Sequence, residues 1–213
     1  MNRLLTIAAA GVFALSAAAC SQPETRKEAA ETMKSKASEA QTKAEAFLKS
    51  YFTDYSKLEK AQTEGYWKAA NSGKTEDFEA FGAADLALKT LHADAKRYAE
   101  IQTLLKGAAE LEPNTRRSLE VAELAFKGNQ LPHELLEKMV KQSTEIEQIF
   151  NTFRAELDGE KVSNNQLLEK LAKTTDSAER KKIWVALKAV GAAVAPKLIA
   201  LAKVRNEAAK HLG

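Results

Sequence analysis

Apolar side chains recur at steps of three and four over most of this chain, and that spacing constrains the fold more than any other feature. Phe47, Tyr51, Tyr55 and Leu58 are separated by four, four and three residues, so they line one face of a helix. Trp67 closes that segment before a turn at Asn71-Ser72-Gly73. Thr75 is then read as an N-cap, with Glu76 and Asp77 in the first turn, where negative charge suits the helix dipole. Phe78, Phe81, Ala84, Leu88, Leu91, Ala95 and Tyr98 continue as one long seam facing other helices.

Gly107 and Pro113 bracket the next break, and Leu119, Ala122 and Phe126 mark a short helix that stops at Gly128-Asn129. Pro132 is placed as the first residue of another helix. Its buried face is read as Leu135, Met139, Ile146, Ile149, Phe153 and Leu157, ending at Asp158-Gly159. Ser163 with Gln166, and Asp176 with Glu179, have the form of capping boxes. The last helix carries Ile183, Leu187, Val190, Val194, Leu198, Leu201 and Val204, with a kink expected near Gly191 and Pro196. Four prolines, nine glycines and few β-branched runs agree with helices nearly throughout. The expected fold is an all-α, multi-helix bundle of about six or seven helices with no convincing strand.

The N-terminus reads as an export signal over residues 1–19: Arg3 gives the positive start, and Leu4 to Leu15 form an apolar run. That run is shorter than the ~20 residues of a spanning helix. Ser16-Ala17-Ala18-Ala19-Cys20 ends in the protein's single cysteine, which excludes an intramolecular disulfide. The stretch resembles the lipobox of bacterial lipoproteins, in which the cysteine carries diacylglycerol. Ala17 stands where that pattern usually has Leu. The resemblance implies lipidation at Cys20, a membrane-anchored place in the bacterial envelope facing the periplasm, and, with Ser21 following, the outer membrane. Residues 20–43, polar and without aromatics, read as the lipidated cysteine and a tether, and 44–213 as the folded helical region.

Loss of residues 1–19 removes one Arg and lowers the formal charge from +3 to +2, spread over a mixed Lys and Glu surface that does not suggest nucleic acid. The three histidines, His92, His133 and His211, have no pair at metal-ligand spacing. His133-Glu134-Leu135-Leu136-Glu137 comes nearest to the His-Glu-x-x-His zinc pattern, with Glu137 in the place of the second His. His92 and His211 are read as solvated, and the acidic groups Glu76, Asp77, Glu79 and Glu145, Glu147 as solubilising. No Gly-flanked serine elbow or Gly-rich phosphate loop is present. From these residues we assign no catalytic, cofactor-binding or metal-binding position.

Four ordered segments resemble the N-terminal region of angiotensin-converting-enzyme-like peptidyl-dipeptidases and the related oligoendopeptidase-type zinc metallopeptidases. They are residues 66–74 (YWKAANSGK) running into Glu76-Asp77-Phe78, residues 150–159 (FNTFRAELDG), residues 175–184 (TDSAERKKIW) and residues 204–213 (VRNEAAKHLG). The resemblance covers about residue 44 to the end. It implies a largely helical body whose early helices form a lid and one wall of a cleft that admits short peptides. In such enzymes zinc is held by a His-Glu-x-x-His helix well downstream of the matched region, so this chain is expected to be truncated before it and inactive alone.

On that reading its partners are the membrane, a catalytic domain or other protein, and short peptides. Apolar surface at Trp67, Trp184 and Val190 to Leu201 should then lie exposed. The alternative is a stand-alone helical envelope lipoprotein acting as a binding or scaffold module. A weaker one is an amphipathic apolipoprotein-like protein, suggested by residues 24–46.

Overall fold

A computed structural model describes residues 23–213, with side chains from Glu39 onward. The expected export signal, Cys20 and the start of the expected tether lie outside the described residues. Eight α-helices, one 3₁₀ turn and a two-stranded hairpin make up the described chain, so the fold is an all-α bundle with a small β insertion.

Helix α1 (Pro23–Ser72) runs unbroken for 50 residues. Its packed portion begins before residue 44: Ala40 lies against the core, and Gln41 reaches across to the start of α4. Gly73, at φ 69°, turns the chain into α2 (Thr75–His92), which packs back along α1. The expected cap at Thr75 is not formed. Lys74 holds the N-cap position through its extended backbone, and Thr75 Oγ1 instead accepts a hydrogen bond from Gln148 Nε2 at 2.9 Å.

The long seam from Phe78 to Tyr98 is divided between two helices. Asp94 accepts hydrogen bonds from the backbone amides of Lys96 and Arg97 at 2.9 and 3.1 Å, which starts α3 (Ala95–Lys106) as a separate helix. Leu91 and Tyr98 still face the same core, which explains why the spacing alone looked continuous. A 3₁₀ turn (Ala108–Glu110) leads to α4 (Pro113–Lys127), with proline in its first turn. Ile101, Leu119, Ala122 and Phe126 are buried against Ala44, Phe47, Leu48 and Tyr51 of α1. Full burial of side chains such as Phe126 or Ile101 contributes roughly 1.5–3 kcal/mol each.

Helix α5 (His133–Thr152) begins one residue later than expected, with Pro132 at the N-cap, and ends before Phe153. The chain then enters an antiparallel hairpin, β1 (Ala155–Leu157) and β2 (Glu160–Val162), paired Ala155 to Val162, Glu156 to Lys161 and Leu157 to Glu160. Asp158 at φ 57° and Gly159 at φ 83° are its two turn residues, both in the left-handed region that a tight two-residue hairpin requires. Asp-Gly read as a helix stop is therefore a hairpin turn, and Phe153 and Leu157 belong to a different core from Leu135.

Helix α6 (Asn164–Lys173) opens with the expected Ser163–Gln166 capping box. At α7 (Ser177–Lys188) only half of the second box forms. Asp176 accepts from the Glu179 amide at 2.7 Å, while Thr174 Oγ1 takes the Asp176 amide and donates in turn to Glu179. Helix α8 (Val190–Leu212) follows after a break at Ala189, just ahead of Gly191, and it tolerates Pro196 within its second turn. Leu201, Val204 and Ala208 hold α8 to the body, the last two in a core with Leu131, Leu135 and Leu136.

Candidate functional site

His133 opens α5, where Pro132 ends the extended approach and the helix places residues i and i+4 on one face. Its Nε2 lies 3.3 Å from Glu137 Oε1, and both side chains are exposed. Zinc needs three or four donors converging at ~2 Å. Among the described residues no three His, Cys, Asp or Glu side chains gather in that way. His133, Glu134 and Glu137 thus form a solvated surface group whose donor set does not fit zinc, and His211 stands apart near the exposed end of α8.

His92 departs from its expected place in solvent. It is buried at the end of α2 beside Tyr51, Tyr55 and Phe126, and its Nε2 shares a 3.1 Å hydrogen bond with the Tyr51 hydroxyl. Burial, then the charge of Lys89, lowers the His92 pKa below its ordinary value. Burial also pushes the Tyr51 phenol up to about 12, so it stays protonated. The signal was in the spacing, since His92 follows Leu88 by four and continues the apolar seam.

The acidic groups also divide. Asp77 is buried, ion-paired to Lys68 at 2.7 Å, and accepts from Ser72 Oγ at 2.6 Å. Those two bonds hold its carboxyl below the usual range and tie α1 to α2. Glu76 and Glu79 remain exposed. Glu145 pairs with Lys197 of α8 at 2.6 Å. Glu147 is partly buried, its Oε2 has no hydrogen-bond partner among the described residues, and burial with the nearby charge of Asp85 raises its pKa. Glu147 follows Val140 by seven, a spacing that places it on the packed face of α5.

Between α2 and α5 runs a groove of about 620 Å³. Phe78, Gly82, Leu86 and Val140 contribute apolar walls, while Glu79, Glu137, Lys141 and Gln148 supply polar groups. Gly82 permits the close approach there, because a Cβ at this position would stand 3.2 Å from Thr144 Oγ1. Volume and lining both suit an extended peptide segment with apolar side chains.

A second surface lies on α7 and α8. Trp184, Val185, Leu198 and Ile199 are half exposed or more, and Trp67 is 73% exposed. The expected apolar surface is thus present at Trp67, Trp184, Leu198 and Ile199. Val190 and Val194 are instead half-buried, and Leu201, at the end of the expected stretch, is buried because its face of α8 turns toward the body. The segment Ser177–Leu212 is also long and apolar enough to cross a membrane by length and composition.

The polar residues of the matched sequence segments mostly serve local structure. Arg154 donates to the carbonyls of Asn151 and Phe153, Asp176 caps α7, and Arg180 donates to the carbonyls of Leu171 and Thr174. Fold and surfaces together define a helical module with a peptide-sized groove on one side and an uncovered apolar helix on another. The family model described as angiotensin-converting enzyme matches residues 38–213. The chain belongs to this zinc-dependent peptidase family. No curated protein and no solved structure matches significantly.

Proposed function

We propose that this chain is the lid and one wall of a peptide cleft in an exported zinc-dependent peptidyl-dipeptidase or oligopeptidase. It is held at the bacterial envelope by lipid on Cys20, and the zinc chemistry is supplied by another part. The observation that carries this reading is the groove between α2 and α5, lying inside the family-matched region with apolar walls and polar groups along it. When bound, zinc would polarise the scissile carbonyl and activate water. The residues of this chain would contribute binding and exclusion: Phe78, Leu86 and Val140 shelter apolar side chains, and Lys141 and Gln148 offer hydrogen-bond donors to a peptide backbone.

The test is a zinc-supplemented peptidase assay on the chain from Cys20 onward with a short blocked apolar peptide, together with metal analysis and amide shifts on titration. The expected result is binding at α2 and α5 without chelator-sensitive cleavage or stoichiometric zinc. Cleavage abolished by a chelator would overturn the reading. Absence of both binding and cleavage would favour the stand-alone envelope scaffold instead, a reading supported by the exposed apolar residues Leu198 and Ile199.

A further inference from the structure

The outer side of α8 combines three properties. Ala192, Ala195, Pro196, Leu198, Ile199 and Ala200 are all exposed, and at ~100° per residue they cover a continuous arc of roughly 200°. The opposite side is held to the body by Leu201, Val204 and Ala208. Charge is uneven as well. From Ser177 to Gly213 there are eight lysines and arginines against two glutamates, whereas the rest of the chain has more acids than bases.

Crossing a bilayer does not suit this segment. Ala186 is the last buried residue of α7 and Leu201 the first of α8, and the interval between them rises at most about 22 Å, short of the ~30 Å hydrocarbon core. Both ends are clamped, Ile183 and Ala186 by the hairpin core and Val204 and Ala208 by α5. Lying on a lipid surface is a poorer match than helix packing, because much of the arc is alanine. Small side chains give little apolar area to insert but let another helix approach closely. A second copy would bring two strongly basic elements together.

We infer that the outer arc of α8, with Trp184, is a docking surface for a helical protein surface that has an apolar centre and an acidic rim. The inference rests on the wall reading only for who supplies that partner, namely the part that completes the cleft. Its apolar centre covers Leu198 and Ile199, and its acids meet Lys188, Lys203, Arg205 and Lys210. Lys182, Lys197 and Arg180 are already engaged with Asp158, Glu145 and backbone carbonyls.

The test uses the chain carrying Trp67→Phe, which leaves Trp184 as the single tryptophan. Three probes are titrated: a synthetic helical peptide with an Ala/Leu face flanked by Glu, the same peptide flanked by Lys, and vesicles of phosphatidylglycerol with phosphatidylcholine. The Glu-flanked peptide should bind at least about ten-fold more tightly than the Lys-flanked one, a difference of ~1.4 kcal/mol. It should shift Trp184 emission to the blue and weaken with added salt. Leu198→Ser with Ile199→Ser, both at exposed positions, should abolish binding without changing the thermal melt.

Equal binding of the two peptides, stronger binding to vesicles than to the Glu-flanked peptide, or dimer formation without peptide binding would each overturn the inference. The peptidase assay decides the wall reading separately. Chelator-sensitive cleavage would end that reading and leave this surface standing, and a preference for the Lys-flanked peptide would do the reverse.

Discussion

Replacing Tyr51 by Phe isolates the contact that defines the N-terminal core. The ring remains, so its packing against Phe126 at 5.6 Å and Tyr55 at 5.6 Å is retained, and only the hydroxyl bonded to His92 Nε2 is lost. His92 is 7% exposed, so little water can replace that partner. A buried polar atom left without its bond costs about 1–2 kcal/mol. In a chain of this size each kcal/mol moves the melting temperature by ~2–4 °C, which predicts a drop of roughly 2–8 °C for Tyr51→Phe.

A pH comparison sharpens the test. The His92 pKa is lowered in the folded state, so the unfolded state binds the proton more readily. Stability from neutral His92 is therefore complete above the unfolded value near 6.5 and is lost as pH falls through the depressed folded value. His92→Leu should remove that part of the acid slope while Tyr51→Phe keeps it. Urea denaturation on both sides of the unfolded value reads each quantity. A Tyr51→Phe melt within about 1 °C of the parent, or an unchanged acid slope in His92→Leu, would show that His92 is solvated and that this reasoning is wrong.

Three further substitutions test other parts of the fold. Glu147→Gln should stabilise the protein at neutral pH, because burial and Asp85 penalise the charged carboxylate; the gain should shrink as pH falls through the raised folded value and be gone below the unfolded value near 4.5, as paired urea titrations would show. Gly159→Ala places a Cβ at φ 83° and should cost about 1 kcal/mol, seen as faster amide exchange in the hairpin. Ser163→Ala removes the oxygen that accepts from the Gln166 amide and should cost about 1 kcal/mol in chemical denaturation.

Helical spacing made the bundle readable because a buried face is a repeating pattern. Phe47, Tyr51, Leu119, Phe126 and Leu135 all lie where it puts them. The errors arose where one residue changes the local geometry without altering the pattern. Asp94 divides a continuous seam by capping a new helix, and Asp158-Gly159 folds a hairpin where a helix end was equally consistent with the sequence. Asp-Gly between short apolar runs is itself a hairpin signal, and here the preceding helical run concealed it. His92 and Glu147 are polar by type but sit at positions of the repeat that face the packed side of α2 and α5. The groove could not be read at all, since it depends on how α2 and α5 approach at Gly82 and Thr144, which no local pattern specifies.

The single helix α1 has a consequence for how the molecule comes apart. It contributes Ala44 to Tyr51 to one core and Ala69 to another, so fraying that passes its middle must open both. The hairpin, α6 and α7 have their own core around Leu167 and Ile183, to which α1 contributes no buried residue. Cooperativity should therefore be unequal along the chain. Amides from Ala40 of α1 through α4 should exchange with deuterium as one slow block, and those of residues 153–188 as a second block with its own opening free energy. A protease acting on transient openings would cut first between these blocks, near the end of α5.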